Sequence, residues 1–164
     1  MSSSDKRILV LNCGSSSLKY EVFLMPERRS LGKGLVERIG EAKGLISQKS
    51  PAGEIKEERP FPSHAEAMAA VGAALVDPKA GILKDLGEID GVGHRVVHGG
   101  EEFASSVVID EKVMAALERN VELAPLHNPA NITGIREAER LLPGRSHAGV
   151  FDTAFHQTMP PAAY

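Results

Sequence analysis

Leu11-Asn12-Cys13-Gly14-Ser15-Ser16-Ser17-Leu18-Lys19-Tyr20 places four small residues between two segments of strand character and a cation just after them. The run before it, Arg7 to Leu11, is apolar after its first residue, as expected of a strand covered on both faces. After it, Leu18, Tyr20, Val22 and Leu24 alternate with Lys19, Glu21 and Phe23, which is the period of a second strand. Strand, tight turn and strand make a hairpin, not a strand feeding a helix. That reading decides the fold, because it sets antiparallel neighbours at one edge of a sheet.

The rest of the chain extends this pattern. Residues 30–60 carry Gly32, Gly34, Gly40, Gly44 and Gly53 between short β-prone pieces, which predicts two or three further strands. Ser63 and Glu66 form a capping box ahead of the stripe Met68, Val71 and Leu75, which stops near Asp77-Pro78. Asp110 is placed to cap a second helix with Val113, Met114, Leu117 and Val121 inward. Asn128-Pro129 reads as a cap with proline at the first helical position, opening a stripe of Ile132, Ile135, Ala138 and Leu142 that Pro143-Gly144 ends. Val92–His98 and Ala148–Phe151 fit two more strands. The fold class is therefore α/β, a mixed sheet with flanking helices.

Composition narrows the function. The chain has 164 residues, 42% of them hydrophobic, which suits one domain with a real core. With net charge −3, no Trp, two Tyr and five Phe, it has neither the basic footprint nor the stacking platforms of a nucleic-acid binder. No apolar run approaches membrane-spanning length, and the polar opening Met1–Arg7 reads as no signal peptide. Cys13 is the only cysteine, so no disulfide forms within the chain and a reducing cytoplasm is the expected compartment.

Four stretches carry candidate chemistry. In the serine turn, small residues let backbone amides converge on one concavity, hydroxyls add donors, and Lys19 supplies positive charge, which suits a phosphate. A plain hairpin turn has the same composition. Ser16-Ser17-Leu18-Lys19 matches the Ser-x-x-Lys of serine acyl-transferases, but that motif needs a helix, and its partner motifs are absent. His94 and His98 in Gly93–Gly100 lie about 13 Å apart on a strand, at ~3.3 Å per residue, too far to share a metal. Arg95, between them among apolar neighbours, needs an anion, either a ligand's or a structural partner's. His127 precedes a helix N-terminus, where an anion is favoured, and reads equally as a loop histidine. Asp152 ends a strand, where α/β proteins hold ligands, and also suits a turn.

In order and wording, LNCGSSSLKY, GHRVVHGG, LAPLHNPANI and VFDTAFHQTMPPAAY together resemble the N-terminal half of the acetokinase family, which includes acetate, propionate and butyrate kinases. The resemblance runs from about Arg7 to the last residue. It implies an actin-like ATPase (ribonuclease H-like) domain over residues 1–150 and, over 151–164, the start of a crossover to a second domain that this chain does not contain. It implies phosphoryl transfer from ATP to acetate with Mg2+, giving acetyl phosphate and ADP. The alternatives are a propionate- or butyrate-type kinase, or a non-catalytic anion-binding fragment. Residue by residue, Asn12 resembles the family's magnesium-associated asparagine, and Lys19, Ser15, Ser16 and Ser17 its nucleotide-phosphate hairpin. Arg95 matches the carboxylate-binding arginine, and Val97 and Leu126 the walls of the pocket for the acetate methyl. His127 matches a histidine near the phosphoryl group, and Asp152 an aspartate described as proton donor or acceptor. The resemblance further implies a cytoplasmic homodimer at full length, no nucleic-acid or membrane partner, and no turnover by the 164-residue chain alone.

Overall fold

A computed structural model of the chain describes residues 5–99, 102–103, 105–152 and 154. The readings of Met1–Ser4, and of the crossover beyond Phe151, Asp152 and Ala154, lie outside these residues.

The hairpin forms as its alternation dictates. Strand β1 (Lys6–Cys13) pairs antiparallel with β2 (Ser17–Met25), in a register that sets Asn12 opposite Lys19 and Cys13 opposite Leu18. The meander continues through β3 (Arg29–Glu37), β4 (Gly44–Ser50) and β5 (Gly53–Arg59), all antiparallel. The glycine-rich stretch thus holds three strands. Two of its glycines have a visible reason: a Cβ on Gly34 would come within 2.3 Å of the Tyr20 ring, and one on Gly44 within 2.4 Å of Phe61.

Helix α1 (His64–Leu75) follows, then β6 (Ile89–Val96), the short β7 (Val107–Val108), α2 (Glu111–Arg119), α3 (Asn128–Leu141) and β8 (Ser146–Phe151). The two-residue β7 and the 3-10 turns at Leu86–Glu88 and Asn120–Leu123 are too short to leave a periodic signal. Strand β6 lies parallel to β1 on one side and to β8 on the other, so the sheet order is β5-β4-β3-β2-β1-β6-β8-β7. The sheet is mixed, with the antiparallel meander at one edge, as expected, and the short β7 antiparallel to β8 at the other. Ser63 caps α1 by accepting from the Ala65 N–H, and its hydroxyl also meets the Glu66 carboxylate. Asp110 caps α2 through the Val113 N–H at 2.8 Å.

Helices α1 and α3 pack on the same face of the sheet, and α2 packs on α3. Leu9, Leu11, Leu18, Tyr20 and Val22 point to that face with Met68, Val71 and Leu75 from α1. Val96, Ile132, Ile135, Leu117 and Phe151 build a second cluster under α2 and α3. The other face of the central strands has no helix over it among the described residues. Val10 and Val150 stand out there, 37% and 51% exposed. Among the described residues no helix is long and apolar enough to cross a membrane.

Candidate active site

The open face gathers the polar residues that the alternation sends away from the helices. Asn12 and Lys19 face each other across β1 and β2. Arg95 lies one strand over on β6, where its Nη1 donates to Asn12 Oδ1 at 3.3 Å. Asp152 follows β8, and its carboxylate takes the side edge of the same guanidinium. Nε lies 3.0 Å from both Oδ1 and Oδ2, and Nη2 lies 2.6 Å from Oδ2. Asn12, Lys19, Arg95 and Asp152 therefore share one end of one sheet face, although 140 residues separate the first from the last. Arg95 is half-exposed rather than sunk among apolar neighbours, at 49% for its side chain against 40% for Asp152. Its charge is held chiefly by the hydrogen bonds to Asp152, which raise its pKa further. Asp152 and Asn12 take three of the five guanidinium N–H groups, which leaves one on each terminal nitrogen outside these bonds. Such a pair of donors matches a carboxylate or phosphate edge.

The serine turn is fixed from several sides. Gly14 N–H donates to Ser17 O at 2.8 Å, and the Ile39 N–H donates to Ser16 O at 2.9 Å. From α1, His64 Nε2 lies 2.8 Å from Gly14 O, and since a carbonyl only accepts, the ring nitrogen donates. Ser15 and Ser16 are left exposed, and Ser17 half-buried. Cys13, beneath the turn, is buried, and its thiol is pushed up to about 12 by desolvation, so it is no nucleophile at neutral pH.

The segment after β6 is held by α3. Val97 is half-buried, whereas Leu126 is 78% exposed, so the two do not close a pocket by themselves. His127, exposed as well, is the N-cap of α3 and makes no side-chain capping bond. The expectation that Asn128 caps this helix is corrected. Asn128 is its first residue and fully buried, and its carboxamide serves another segment: it accepts from His98 N–H at 3.3 Å and donates to His98 O and Asn120 O at 3.0 and 3.2 Å. Asn131, 5% exposed, accepts from Val97 N–H and donates to Cys13 O. The bonds that these two asparagines and His64 make to distant segments are not legible in the sequence, because a buried carboxamide leaves no periodic signal there. Only the repeated Asn at i and i+3 beside Leu126-His127 marks them.

The two histidines read along one strand do not work as a pair. His94 instead faces the helices and meets His147 on β8, with Nε2 to Nδ1 at 2.9 Å. Among the described residues no group of three or more His, Cys, Asp or Glu is placed to hold a metal. The oxygen donors near the turn are Asn12 Oδ1 and the Asp152 carboxylate, both on Arg95. These hard donors fit Mg2+, which takes few protein ligands and fills its shell with water and substrate phosphates.

A family model described as the acetokinase family matches residues 7–164. The acetate kinase of Agathobacter rectalis is 56% identical over 157 residues, which cover 96% of this chain and 40% of that protein. The acetate kinase of Carboxydothermus hydrogenoformans is 55% identical over 159 residues, with the same coverage. The chain thus spans about 40% of the length of the curated relatives it matches. Among solved structures, Porphyromonas gingivalis acetate kinase superposes with a TM-score of 0.91 at 47% identity, covering 96% of this chain and 40% of that one. A propionate kinase from Francisella tularensis gives 0.87 at 39% identity, covering 96% and 39%.

Proposed function

The chain belongs to the acetokinase family, and on that premise we propose that it forms one wall of a site where the γ-phosphoryl of ATP passes to acetate, giving acetyl phosphate and ADP. The single observation that carries the proposal is the meeting of Asn12, Lys19, Arg95 and Asp152 at one end of the open sheet face.

Acetate is already ionised at neutral pH, since an aliphatic carboxyl has a pKa near ~4.3, so it has no proton to surrender. Its carboxylate oxygen attacks phosphorus in line while the bond to the ADP oxygen breaks, through a loose transition state with dispersed charge. The work left to the protein is positioning and neutralisation. The free N–H edge of Arg95 orients the carboxylate or the acyl phosphate. Lys19 and the donors of Ser15, Ser16 and Ser17 take phosphate oxygens. His127 stands at the N-terminus of α3, where the helix dipole favours negative charge. Val97 and Leu126 give the methyl group an apolar side, which Leu126 at 78% exposure completes only with a surface facing it. Asn12 would hold Mg2+, which when bound would supply charge neutralisation at the phosphates. Asp152 is a positioning residue in this reading and not a proton acceptor, because both its oxygens hold Arg95.

A second acyl group is favoured by a specific observation, the likeness to a propionate kinase. One methylene discriminates by only about 1–3 kcal/mol, so propionate is a poorer substrate and not an excluded one. Cytoplasmic placement is part of the proposal, supported by a single, buried cysteine.

Binding tests the proposal directly. Acetyl phosphate titrated into the chain should shift the amide signals of Ser15–Ser17 and Val97 in NMR spectra, and Arg95→Ala should abolish the Val97 response. No response in the unaltered chain refutes the reading. Acetyl phosphate formed from ATP and acetate is trapped as its hydroxamate, and steady turnover by the 164-residue chain alone would refute a one-walled site.

A further inference from the structure

We propose that Asn131 is a positioning residue whose single buried carboxamide sets the spacing between the phosphate-facing hairpin and the acyl-substrate segment. The proposal rests on the reading of Lys19 and Arg95 given above.

Strands β1 and β6 pair only as far as Leu11 and His94. Beyond that point no backbone pairing fixes their separation, yet both strand ends run on into the candidate site. Among the described residues, the open face links them through Arg95 Nη1 to Asn12 Oδ1, at 3.3 Å and exposed. On the covered face Asn131 closes the gap. Its Nδ2 donates to Cys13 O at 2.7 Å, one residue before the turn, and its Oδ1 accepts from Val97 N–H at 3.0 Å, two residues after Arg95. Asn131 is buried, with 5% of the residue exposed.

The chemistry of the bridge demands this side chain. One leg needs a donor and the other an acceptor, at one fixed reach and without charge. Aspartate keeps the acceptor and loses the donor, and leucine supplies neither. The anchor is rigid as well. Helix α3 lies against β1 where a Cβ on Gly134 would come within 2.5 Å of Cys13 Cβ. One turn earlier Asn128 holds both backbone groups of His98. Asn131 touches no substrate in this arrangement. It transmits: a phosphate drawn onto the hairpin moves the Cys13 carbonyl, and the displacement reaches Val97 through one side chain.

Inorganic phosphate is the probe, titrated into the whole chain with amide signals followed by NMR. The unaltered chain should shift Gly14–Ser17 and Val97–His98 with one dissociation constant. In Asn131→Asp the hairpin response should persist at an affinity about tenfold weaker, and the Val97–His98 response should vanish. Two results overturn the proposal. One is retention of both responses at the original dissociation constant in a variant whose melting temperature has fallen, which is what a merely structural role gives. The other needs no variant: a hairpin response in the unaltered chain with none at Val97. If phosphate moves neither segment, the phosphate reading of the hairpin fails, and amide exchange judges the bridge. Asn131→Asp must then speed exchange at Cys13–Ser17 and Val97–His98 together, at least tenfold, with β4 unchanged. Acceleration in one segment alone overturns it.

Discussion

Replacing Gly134 by alanine puts helix propensity and packing in direct opposition, and the structure decides which wins. In an exposed helix interior the change would stabilise by about 1 kcal/mol. Here the new methyl would lie 2.5 Å from Cys13 Cβ and 2.9 Å from its Sγ. The first of these atoms belongs to a central strand and cannot rotate away, so α3 must lift from the sheet. Overpacking of this kind costs about 1–3 kcal/mol, and a rigid Cβ contact belongs at the upper end. The net is a loss of about 2 kcal/mol, or about 4–8 °C in melting temperature for a domain of this size. Thermal unfolding by circular dichroism measures it, and amide exchange should quicken at Gly14–Ser17, which sit directly after Cys13. A double-mutant cycle isolates the contact: Cys13→Ala keeps the offending Cβ and should not rescue, whereas Cys13→Gly should recover part of the loss. A melting temperature raised by Gly134→Ala would refute the close approach of α3 to β1, and with it the rigid floor beneath the hairpin.

The buried His94–His147 pair makes stability depend on acid. Burial, with His147 beside it, lowers the His94 pKa to about 3, and burial lowers that of His147 too. The unfolded chain binds protons below about 6.5 and the folded chain does not, so stability rises with pH between about 3 and 6.5, by up to ~1.4 kcal/mol per unit for His94. Urea midpoints measured from pH 5 to 7 should show this slope, and His94→Gln should flatten it; an unaltered slope in the variant would remove the pair as its cause. Gln48 is 3% exposed, and it accepts from the Tyr20 hydroxyl while donating to Ala74 O and Ala80 O. Gln48→Leu should cost about 1–3 kcal/mol, chiefly by stranding the tyrosine hydroxyl, and Tyr20→Phe in that background should return part of it. If the second change deepens the loss in chemical denaturation, the hydroxyl has another partner. Asp152→Asn should leave the melting temperature within a few degrees, because an exposed pair is worth under about 1 kcal/mol. It should nevertheless weaken acetyl phosphate binding about tenfold, or ~1.4 kcal/mol, by releasing Arg95. Calorimetry that finds the affinity unchanged would end the positioning role of Asp152.

What the sequence made legible is what repeats locally. The β1–β2 hairpin follows from two alternating segments and a small-residue turn. The stripes Met68–Val71–Leu75 and Ile132–Ile135–Ala138 give their helices for the same reason. Each is a pattern of neighbours, and burial on one face produces it. Across the chain such signals end. Asn128 beside Pro129 has the local form of a cap, yet a carboxamide that can satisfy both backbone groups of His98 is worth more buried than at a helix end, where water would serve. His94 and His98 invite a reading along one strand, but β6 ends at Val96, before His98, and the partner of His94 lies 53 residues away on β8. Neither pairing leaves a trace in spacing, because a parallel crossover can be of any length.

Arg95 shows how a wrong premise about burial can still lead to an anionic partner. Its apolar neighbours, Val96 and Val97, suggest a buried guanidinium that must find an anion. Alternation defeats the premise: Val96 goes under α2 and α3 while Arg95 goes to the open face. The need for an anion survives for a different reason. A half-exposed arginine is solvated well enough to stand alone, and a surface ion pair contributes little to stability. The bidentate hold by Asp152, with Asn12 on the next nitrogen, therefore does little for the fold. What it does is fix the direction of the remaining N–H edge, which a lone surface arginine would leave to rotate. A side chain ordered at so small a gain in stability, on the face that no helix covers among the described residues, is what the proposed function asks for: an edge held ready for an anion arriving from that side. On the proposed function, this is the reason to read the Arg95–Asp152 pair, among the surface ion pairs of the described residues, as part of the site and not of the scaffold.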